Sequence, residues 1–366
     1  MDTTTHGGNV YALAAAKGIG PMEVRDYSAN INPLGLSPKG VKAMRARFEE
    51  IMHYPDPSVT GLIEAASSAY DVPTESILPG NGAAELLFAL FRKRGLREVL
   101  VPSPGFSEYA EAARSADVKV RFYRLCERYS RTDCGFGMPY DTLRAEAAED
   151  IEGRILVLGN PNNPDGSLLE LGRMLPLIRT WAEKGGYVLS DESFIDFTDG
   201  ATSLRPYLSE MPNLFVLHSL TKFFAVPGLR VGLLFGTRVS ELRGFLPTWS
   251  VNGFAQMYAT EALSDSEYIS ASKRLVRIRN EACFARYAGL PYFDVVKPSV
   301  NFMLMRRTGV GASLDMLKAY LAERCILVRD CRNYDGLEGD FIRIAIRSEE
   351  ENDYLFEAIR EFEESV

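Results

Sequence analysis

Short apolar runs alternate along the chain with longer stretches whose apolar residues recur every three or four positions. Such runs, bounded by glycine, proline or asparagine, are typical of buried strands, and the longer spacing is typical of amphipathic helices. The predicted strands of this kind are residues 97–102, 118–125, 154–159, 187–190, 214–217 and 231–235. This strand–helix rhythm predicts an α/β protein with a mostly parallel, doubly wound sheet.

The same patterns predict elements near both ends of the chain. Residues 39–52 should form one amphipathic helix, because Val41, Met44, Phe48 and Ile51 fall on one face at helical spacing. Toward the C terminus, the predicted helices are 267–288, one striped by leucines from 314, and 349–364, and the predicted strands are 301–306, 326–331 and 341–347.

Composition and charge narrow the class of protein. Hydrophobic content of 46% and charged content of 25% are typical of a globular protein, and a net charge of −8 argues against general nucleic-acid binding. No apolar run approaches the roughly 20 residues of a membrane span, and the N terminus lacks a basic-then-apolar signal. Five cysteines without a CxxC pair indicate free thiols, and three histidines predict no histidine-rich metal site. We therefore expect a cytoplasmic protein of enzyme size, with no membrane partner.

Candidate chemistry is concentrated between the predicted strands 214–217 and 231–235, in what we expect to be a loop. A lone lysine in a loop is usually a solvated charge, but Lys222 is flanked by one leucine and two phenylalanines, which should desolvate its amine and lower its pKa. Ser219, Thr221 and Arg230 supply the hydroxyls and the guanidinium suited to a phosphate monoester. A lysine beside a phosphate cradle indicates pyridoxal 5'-phosphate as the cofactor.

The string S-L-T-K-F-F-A-V-P-G-L-R-V-G, residues 219–232, resembles the lysine segment of fold-type-I, class I/II aminotransferase-like enzymes. It is most similar to their histidinol-phosphate aminotransferase and threonine-phosphate decarboxylase branch. The resemblance implies the pyridoxal-phosphate transferase fold, with the cofactor held on Lys222. It also implies a homodimer with shared sites.

Three further motifs resemble the decarboxylase branch. H-G-G-N at 6–9 and the stretch 27–35 resemble the opening of threonine-phosphate decarboxylases, in which the positions of His6 and Asn30 approach the substrate phosphate. The resemblance to the aminotransferase branch implies that Tyr54, in Y-P-D-P, reaches the cofactor phosphate of the partner subunit, although a structural turn tyrosine is an alternative. W-S-V-N at 249–252 is similar to the same branch and suits the subunit interface, or a buried structural tryptophan.

Two loops match cofactor-binding positions of the family. The strand-like residues 77–79 lead through a glycine turn into a helix, which directs free backbone N–H groups at an anion. In the family this loop binds the cofactor phosphate, so Gly82 and Ala83 are the implied donors. The segment 103–106 matches the position of an aromatic ring over the pyridine face. Phe106 is the best match, with Tyr109 as the alternative.

Two polar residues follow predicted buried strands. Residues 160–166 resemble the family string N-P-N-N-P-T-G, which implies that Asn163 hydrogen-bonds the phenolic oxygen of the cofactor and faces the substrate. Asp191 ends the strand 187–190, where an α/β sheet presents polar groups, and it would pair with the pyridine nitrogen. Many aminotransferases carry a tyrosine where this chain has Phe194, and the phenylalanine resembles the decarboxylase branch.

Arg329 and Arg343 interrupt apolar strands, and a buried arginine without an anion would be costly. Arg343 matches the arginine that binds the substrate carboxylate in aminotransferases, and Arg329 matches a substrate-binding arginine of the decarboxylases. A structural Asp–Arg bridge is the alternative for Arg329, and Arg347 could support either arginine. Which of them takes phosphate and which carboxylate stays open.

Together these resemblances predict a large cofactor-binding domain at 39–262, a small α+β domain at 263–366 and an N-terminal arm at 1–38 that contributes to the small domain and the site. The predicted reaction is decarboxylation of O-phospho-L-threonine or O-phospho-L-serine for cobalamin biosynthesis, with Lys222 and Asp191 as the catalytic residues. Histidinol-phosphate aminotransferase is the alternative activity.

Overall fold

A computed structural model of the chain describes residues 7–129, 134–199, 201–309 and 312–365. The strands are β1 (Arg25–Asp26), β2 (Ile77–Gly80), β3 (Glu98–Ser103), β4 (Lys119–Arg124), β5 (Cys126–Tyr129), β6 (Cys134–Gly137), β7 (Arg154–Gly159), β8 (Tyr187–Asp191), β9 (Leu214–Ser219), β10 (Gly232–Phe235), β11 (Phe293–Val295), β12 (Phe302–Arg307), β13 (Ile326–Leu327), β14 (Arg329–Asp330) and β15 (Phe341–Ala345). The helices are α1 (Val10–Lys17), α2 (Pro38–Ala46), α3 (Thr60–Tyr70), α4 (Ala83–Phe91), α5 (Glu108–Ser115), α6 (Tyr140–Ala148), α7 (Leu171–Glu183), α8 (Leu220–Phe223), α9 (Gly253–Leu263), α10 (Ser266–Tyr287), α11 (Leu314–Glu323) and α12 (Glu349–Glu364).

Seven strands form the large sheet, in the order β2-β10-β9-β8-β7-β3-β4. Strands β4, β3, β7, β8 and β9 pair in parallel, whereas β10 is antiparallel to both β9 and β2. Alternate residues of β7 enter different cores, Leu156 and Leu158 on one face and Ile155 and Val157 on the other. Both faces are therefore covered, which confirms the predicted mostly parallel α/β sheet.

The C-terminal part contains a second sheet, with the antiparallel order β11-β12-β15-β14 and its own core. The chain start joins this part, because β1 pairs in parallel with β13 and the carbonyl of Tyr27 accepts from Ala345 N at 2.7 Å. The arm therefore contacts the C-terminal part, while the division at residues 38 and 262 stays a prediction.

Three element predictions differ from the structure. The helix expected at 39–52 ends at Ala46, because Val41 and Met44 pack against the core whereas Phe48 and Ile51 are exposed and lie in a 3₁₀ turn. The strand expected at 326–331 is two short strands, since β13 pairs with β1 and β14 pairs with β15. The loop expected around Lys222 contains the single helical turn α8. Among the described residues, no helix is long and apolar enough to cross a membrane.

Candidate active site

Chemistry-bearing residues meet at one edge of the large sheet. The carboxyl ends of β2, β9, β8, β7 and β3 lie at this edge, and the antiparallel β10 begins there. In open α/β sheets, ligands bind outside the carboxyl ends of the strands. A cavity of about 350 Å³ opens at this edge, and it is lined by predicted site residues: Asn30, Ala83, Phe106, Asn163, Asp191, Ser219, Thr221, Lys222, Arg230, Arg329 and Arg343.

Lys222 lies on α8, directly after β9, and its side chain is part-buried. Burial, together with the charges of Arg343 and Arg230, lowers the pKa of its ammonium to about 8. This is the direction expected from its apolar neighbours in the sequence. A neutral amine is the form that attacks an aldehyde, so the lowered pKa increases the fraction of Lys222 in its nucleophilic state.

One end of the cavity lies over β2, β10 and β9 and carries anion-binding groups. The buried hydroxyls of Ser219 and Thr221 lie 2.8 Å apart, and α4 begins at Ala83 with its first N–H groups free of helical partners. Gly82 has φ +85°, and a Cβ there would lie 2.5 Å from the guanidinium of Arg230. Only glycine lets Arg230 lie against this turn, so Gly82 contributes although it does not line the cavity.

The other end lies over β8, β7 and β3 and carries Asp191, the last residue of β8. Its Oδ2 accepts from the hydroxyl of Tyr109 at 2.6 Å, and its Oδ1 accepts from the backbone N and the hydroxyl of Ser193 at 3.0 and 2.5 Å. Burial and the Asp191 charge raise the pKa of Tyr109 well above its usual range, so Tyr109 stays a donor. Both oxygens of the Asp191 carboxylate are thus hydrogen-bonded, and the Tyr109 hydroxyl donates its proton to one of these bonds.

Asn163 faces the C-terminal part across the cavity. Its Oδ1 accepts from Arg343 Nη1 and, at 3.2 Å, from the hydroxyl of Tyr334. Arg343 also donates to the carbonyl of Ser28 at 3.2 Å. This hydrogen-bonded group therefore joins the large sheet, through Asn163, to the C-terminal sheet, through Arg343, and to the arm, through Ser28.

Arg329 and Arg343 lie directly opposite each other on the paired strands β14 and β15. Both are buried, at 4% and 5% exposure, and both line the cavity. Like charges directly opposite on neighbouring strands are destabilising unless an anion lies between them. Arg329 donates to Asn333 Oδ1 at 2.8 Å and to the carbonyl of Asp330 at 2.5 Å. An anion in the cavity would relieve the repulsion between the two arginines.

Arg347 lies elsewhere. Its Nε donates to Glu351 at 2.7 Å and its Nη1 to the carbonyl of Asp26 at 3.1 Å, and it is not among the residues that line the cavity. These contacts tie α12 to the arm. Arg347 supports the scaffold rather than either cavity arginine directly.

The arm covers one side of the cavity. His6 lies outside the described residues, but Gly7 lines the cavity, and a Cβ at Gly7 would lie 2.2 Å from the Ser28 carbonyl oxygen. Gly8 N donates to the Ser28 hydroxyl at 2.7 Å. Asn30 is buried in the cavity wall, and its Oδ1 finds no hydrogen-bond partner within the described ranges.

Tyr54 does not reach this cavity. Its side chain is 78% exposed and stacks on Trp249, with ring centroids 4.4 Å apart. Trp249 is itself 45% exposed and has φ +59°, so it is not the buried structural tryptophan that was the alternative. Two stacked aromatic rings on the surface are typical of an interface.

Two phenylalanines complete the cavity wall. Phe106 lines it and meets Tyr109 edge-on, with ring centroids 5.6 Å apart. Phe194 packs edge-on against Phe302 at 5.1 Å, and the Arg343 guanidinium lies 5.3 Å from the Phe302 ring. An apolar stack therefore supports Arg343 from behind.

Sequence reasoning did not assign Tyr334, Ser28 or Ser193, and it considered Tyr109 only as a stacking ring. Ser193 follows Asp191 by two residues, a spacing at which Asp often binds its own backbone, so that contact had a local signal. The bond of Tyr334 to Asn163 and the bond of Ser28 to Arg343 each join residues more than a hundred positions apart in the chain. Their contacts depend on the fold and left no local signal.

The donor set fits pyridoxal phosphate. Hydroxyls, Arg230 and the start of α4 suit its phosphate, and Asp191 at the far end suits its ring nitrogen, with Lys222 after the strand between them. The buried Oδ1 of Asn30, which has no partner among the described residues, and the close approach of Arg230 to Gly82 show that the cavity wall presents polar groups to a ligand. Among the described residues there is no cluster of three or more His, Cys, Asp or Glu that could hold a metal ion.

Comparisons with known proteins bear on the same site. The family described as "Aminotransferase class I and II" matches residues 23–359 of the chain. Threonine-phosphate decarboxylase of Salmonella typhimurium is 33% identical over 98% of this chain and 96% of its own length. The adenosylcobalamin biosynthesis bifunctional protein CobDQ of Leptospira interrogans is 32% identical over 98% of this chain, which spans 41% of that longer protein.

A solved structure is also similar over almost the whole fold. The histidinol-phosphate aminotransferase from Clostridium acetobutylicum matches with a TM-score of 0.84 at 27% identity, covering 94% of this chain and 100% of that one.

Proposed function

The chain belongs to the class I and II aminotransferase family, whose cofactor is pyridoxal 5'-phosphate, and we propose that it decarboxylates O-phospho-L-threonine. The product, aminopropanol phosphate, would serve cobalamin biosynthesis, as the name of the similar Leptospira interrogans protein suggests. O-phospho-L-serine is a close variant, because one methyl group separates the substrates and a pocket distinguishes a methyl by only about 1–3 kcal/mol.

The observation that carries this proposal is the buried pair Arg329 and Arg343 on facing strands. Two cations in one cavity fit a small substrate with two anionic groups, and phosphothreonine has a carboxylate and a phosphate. Asn30 and the arm lie beside the same cavity and would complete the phosphate side, with His6 as a proposed further donor.

When bound, pyridoxal phosphate withdraws electrons from the α-carbon of an amino acid joined to it. The chain's own residues would hold that group and the substrate. Ser219, Thr221, Arg230 and the N–H groups at Gly82 and Ala83 would bind the phosphate, and Phe106 would cover the ring.

Asp191 would keep the ring nitrogen protonated, because its carboxylate is held in place by Tyr109 and Ser193. Asn163 would donate to the phenolic oxygen. Lys222 would hold the cofactor before the reaction and then move a proton at its Nζ, which the pKa of about 8 permits near neutral pH.

Orientation would select the reaction. Which bond at the α-carbon breaks would depend on how this chain's residues orient the substrate. Arginines that hold the carboxylate for cleavage would favour loss of carbon dioxide, with Lys222 Nζ delivering the proton that replaces it. Arginines that instead present the α-hydrogen would place it for removal by Lys222 Nζ, as amine transfer requires. Phe194 adds no hydroxyl to the cavity, in contrast to the tyrosine of many aminotransferases.

Histidinol-phosphate aminotransferase is the second candidate, favoured by the structural similarity to the Clostridium acetobutylicum enzyme. That activity requires an amino-group acceptor such as 2-oxoglutarate and releases no gas. The two candidates therefore differ in both product and co-substrate.

A homodimer is part of the proposal. Five large apolar side chains are exposed in one region around α2 and α9: Phe48, Ile51, Met52, Tyr54 and Trp249. We propose that a second copy covers them and that Tyr54 reaches the cofactor phosphate of that copy. Sedimentation of the holoenzyme should give twice the chain mass, and a monomer that is fully active would contradict the shared site.

The test is carbon dioxide release from O-phospho-L-threonine, O-phospho-L-serine and histidinol phosphate, each with and without 2-oxoglutarate. Release from phosphothreonine without a keto acid is the expected result. Glutamate formation from histidinol phosphate without gas would replace the proposal by the second candidate.

Arg329→Leu should raise the KM for phosphothreonine about 100-fold or more, as expected on removing one charged contact to an anion. The matched control is Arg332→Leu, since Arg332 pairs with Asp315 and Asp330 at the surface.

A further inference from the structure

Tyr334 lies between the two arginines and the large sheet. Its side chain is buried and lines the cavity. Its hydroxyl lies 3.2 Å from Asn163 Oδ1 and 3.2 Å from Arg343 Nη1, and the Arg329 guanidinium lies 5.2 Å from the centre of its ring. One residue thus contacts both anion-binding arginines and the asparagine expected at the cofactor.

These contacts set the orientation of the Asn163 amide. Arg343 Nη1 and the Tyr334 hydroxyl both point donors at the same side-chain atom, Oδ1. Turning the amide over would place its NH₂ group against a guanidinium, which has donors only. With Oδ1 held in this way, Nδ2 is the atom left to face the cavity as a donor.

The Tyr334 ring has a separate effect on the arginines. Arg329 and Arg343 lie opposite each other in register, and their charges repel. The aromatic face of Tyr334 attracts Arg329, and its hydroxyl accepts from Arg343, so the ring keeps the two guanidinium groups at fixed places. The spacing between the two anion sites therefore depends on this side chain.

The loop that carries Tyr334 is fastened to the large sheet. The Ser103 hydroxyl, at the end of β3, donates to Asp335 Oδ1 at 2.5 Å, and Arg124, at the end of β4, pairs with Glu338 at 2.9 Å. Tyr334, which lines the cavity, directly precedes the first of these attachments. Its position is therefore set from the large sheet and from β14 together.

We propose that Tyr334 is a positioning residue with two separable functions: its hydroxyl fixes the Asn163 amide with Nδ2 toward the cavity, and its ring sets the spacing between Arg329 and Arg343. The second function rests on the proposed two-anion substrate, whereas the first needs only bound cofactor. Tyr334 would thereby tune the cofactor and select substrates by the distance between their anionic groups.

Two variants separate these functions. Tyr334→Phe keeps the ring and removes the hydroxyl. With a less well held Asn163, the pH midpoint of the bound cofactor's visible absorbance should rise by about 0.5–1 unit, while the KM for O-phospho-L-threonine changes less than about threefold. Tyr334→Leu removes the ring as well, and it should give the same spectral shift together with a KM increase of about tenfold.

The matched control is Tyr123→Phe, because Tyr123 is also a buried tyrosine and its hydroxyl donates to Val157 O at 2.8 Å, away from the cavity. It should leave both the absorbance midpoint and KM unchanged. Thermal unfolding of cofactor-free protein, with and without O-phospho-L-threonine, supplies a readout that needs no turnover. The added stabilisation by this ligand should fall in Tyr334→Leu and persist in Tyr334→Phe.

An unchanged absorbance midpoint in Tyr334→Phe would overturn the first function. Equal KM increases in the two variants, or none in Tyr334→Leu, would overturn the second. Should Tyr334→Leu not fold, Asp335→Asn loosens the attachment of the loop while the tyrosine is kept, and a KM increase of about threefold or more is then required. If the wild type released no carbon dioxide, the proposed function would fail, but the absorbance titration would still decide the role of the hydroxyl.

Discussion

Replacing Lys222 by methionine should make the cofactor-free protein more stable, although it removes the residue on which the proposed activity depends. The pKa of Lys222 is about 8 in the folded protein against 10.5 ordinarily, with burial as the main cause. The unfolded chain therefore binds the proton more tightly, and folding at neutral pH acts against the ammonium. This unfavourable contribution is fully present below pH 8 and fades as pH rises to 10.5.

The magnitude follows from the pKa difference. A shift of about 2.5 units corresponds to about 3.4 kcal/mol. Solvent screens a side chain that is only part-buried, so we expect the variant to be more stable by about 1–3 kcal/mol at pH 7. At pH 9.5 the folded protein has already released the proton, so the cost depends only on how far the pH lies below 10.5, and the difference should be less than about half of its value at pH 7.

Urea unfolding of the cofactor-free wild type and of Lys222→Met, at pH 7 and pH 9.5, measures this difference directly. Comparing variants at each pH cancels the titration of all other groups. Lys184→Met is the matched control, because the Lys184 ammonium is exposed and donates to the Ala147 carbonyl at 2.6 Å, so its removal should not stabilise the protein. Equal stability of wild type and Lys222→Met at pH 7, or a difference that grows with pH, would refute the reasoning.

Three further predictions concern the same cavity. The rate at which cofactor-free protein captures pyridoxal phosphate should rise about tenfold per pH unit up to pH 8 and then level off, because the neutral Lys222 amine is the attacking form; a rise that continues toward pH 10 would contradict it. Tyr109→Phe removes a 2.6 Å hydrogen bond to Asp191 and should weaken cofactor binding about fivefold in an equilibrium titration. Gly7→Ala, whose Cβ would lie 2.2 Å from the Ser28 carbonyl oxygen, should raise the KM for O-phospho-L-threonine about tenfold, whereas the free energy of unfolding should change by less than about 1 kcal/mol.

The elements with a strong local pattern could be predicted from the sequence. The final helix has a capping box at Ser348 and Glu351 and an apolar stripe, and its bounds are those expected, Glu349–Glu364. The apolar runs that became β3, β7, β8, β9 and β10 are buried almost throughout, whereas β4, at the edge of the sheet, is largely exposed. The predicted helix 39–52 was too long. Phe48 and Ile51 continue the helical spacing of α2, but they are exposed and have no core to pack against.

The sequence predicted most of the residues that line the cavity but only part of their arrangement. Most of the residues chosen from motifs line one cavity, because strand ends that are distant in the chain meet at one sheet edge. The register that places Arg329 opposite Arg343 is set by pairing between strands, and no local pattern specifies it. The hydrogen bond from Tyr109 to Asp191 joins residues 82 positions apart, so its partner could not be read from neighbouring residues.

The pairing of β1 with β13 has a consequence for how the protein is made. The arm is synthesised before the large sheet, whereas its strand partner and Arg343, which donates to Ser28 across 315 positions, are synthesised after it. Domains fold during synthesis from the N terminus, and contacts of such long separation form late. The large sheet can therefore assemble on a nascent chain, whereas the side of the cavity that carries Arg343 closes only after β15 has been translated. A prematurely terminated product would retain Lys222 and lack the groups that direct its chemistry.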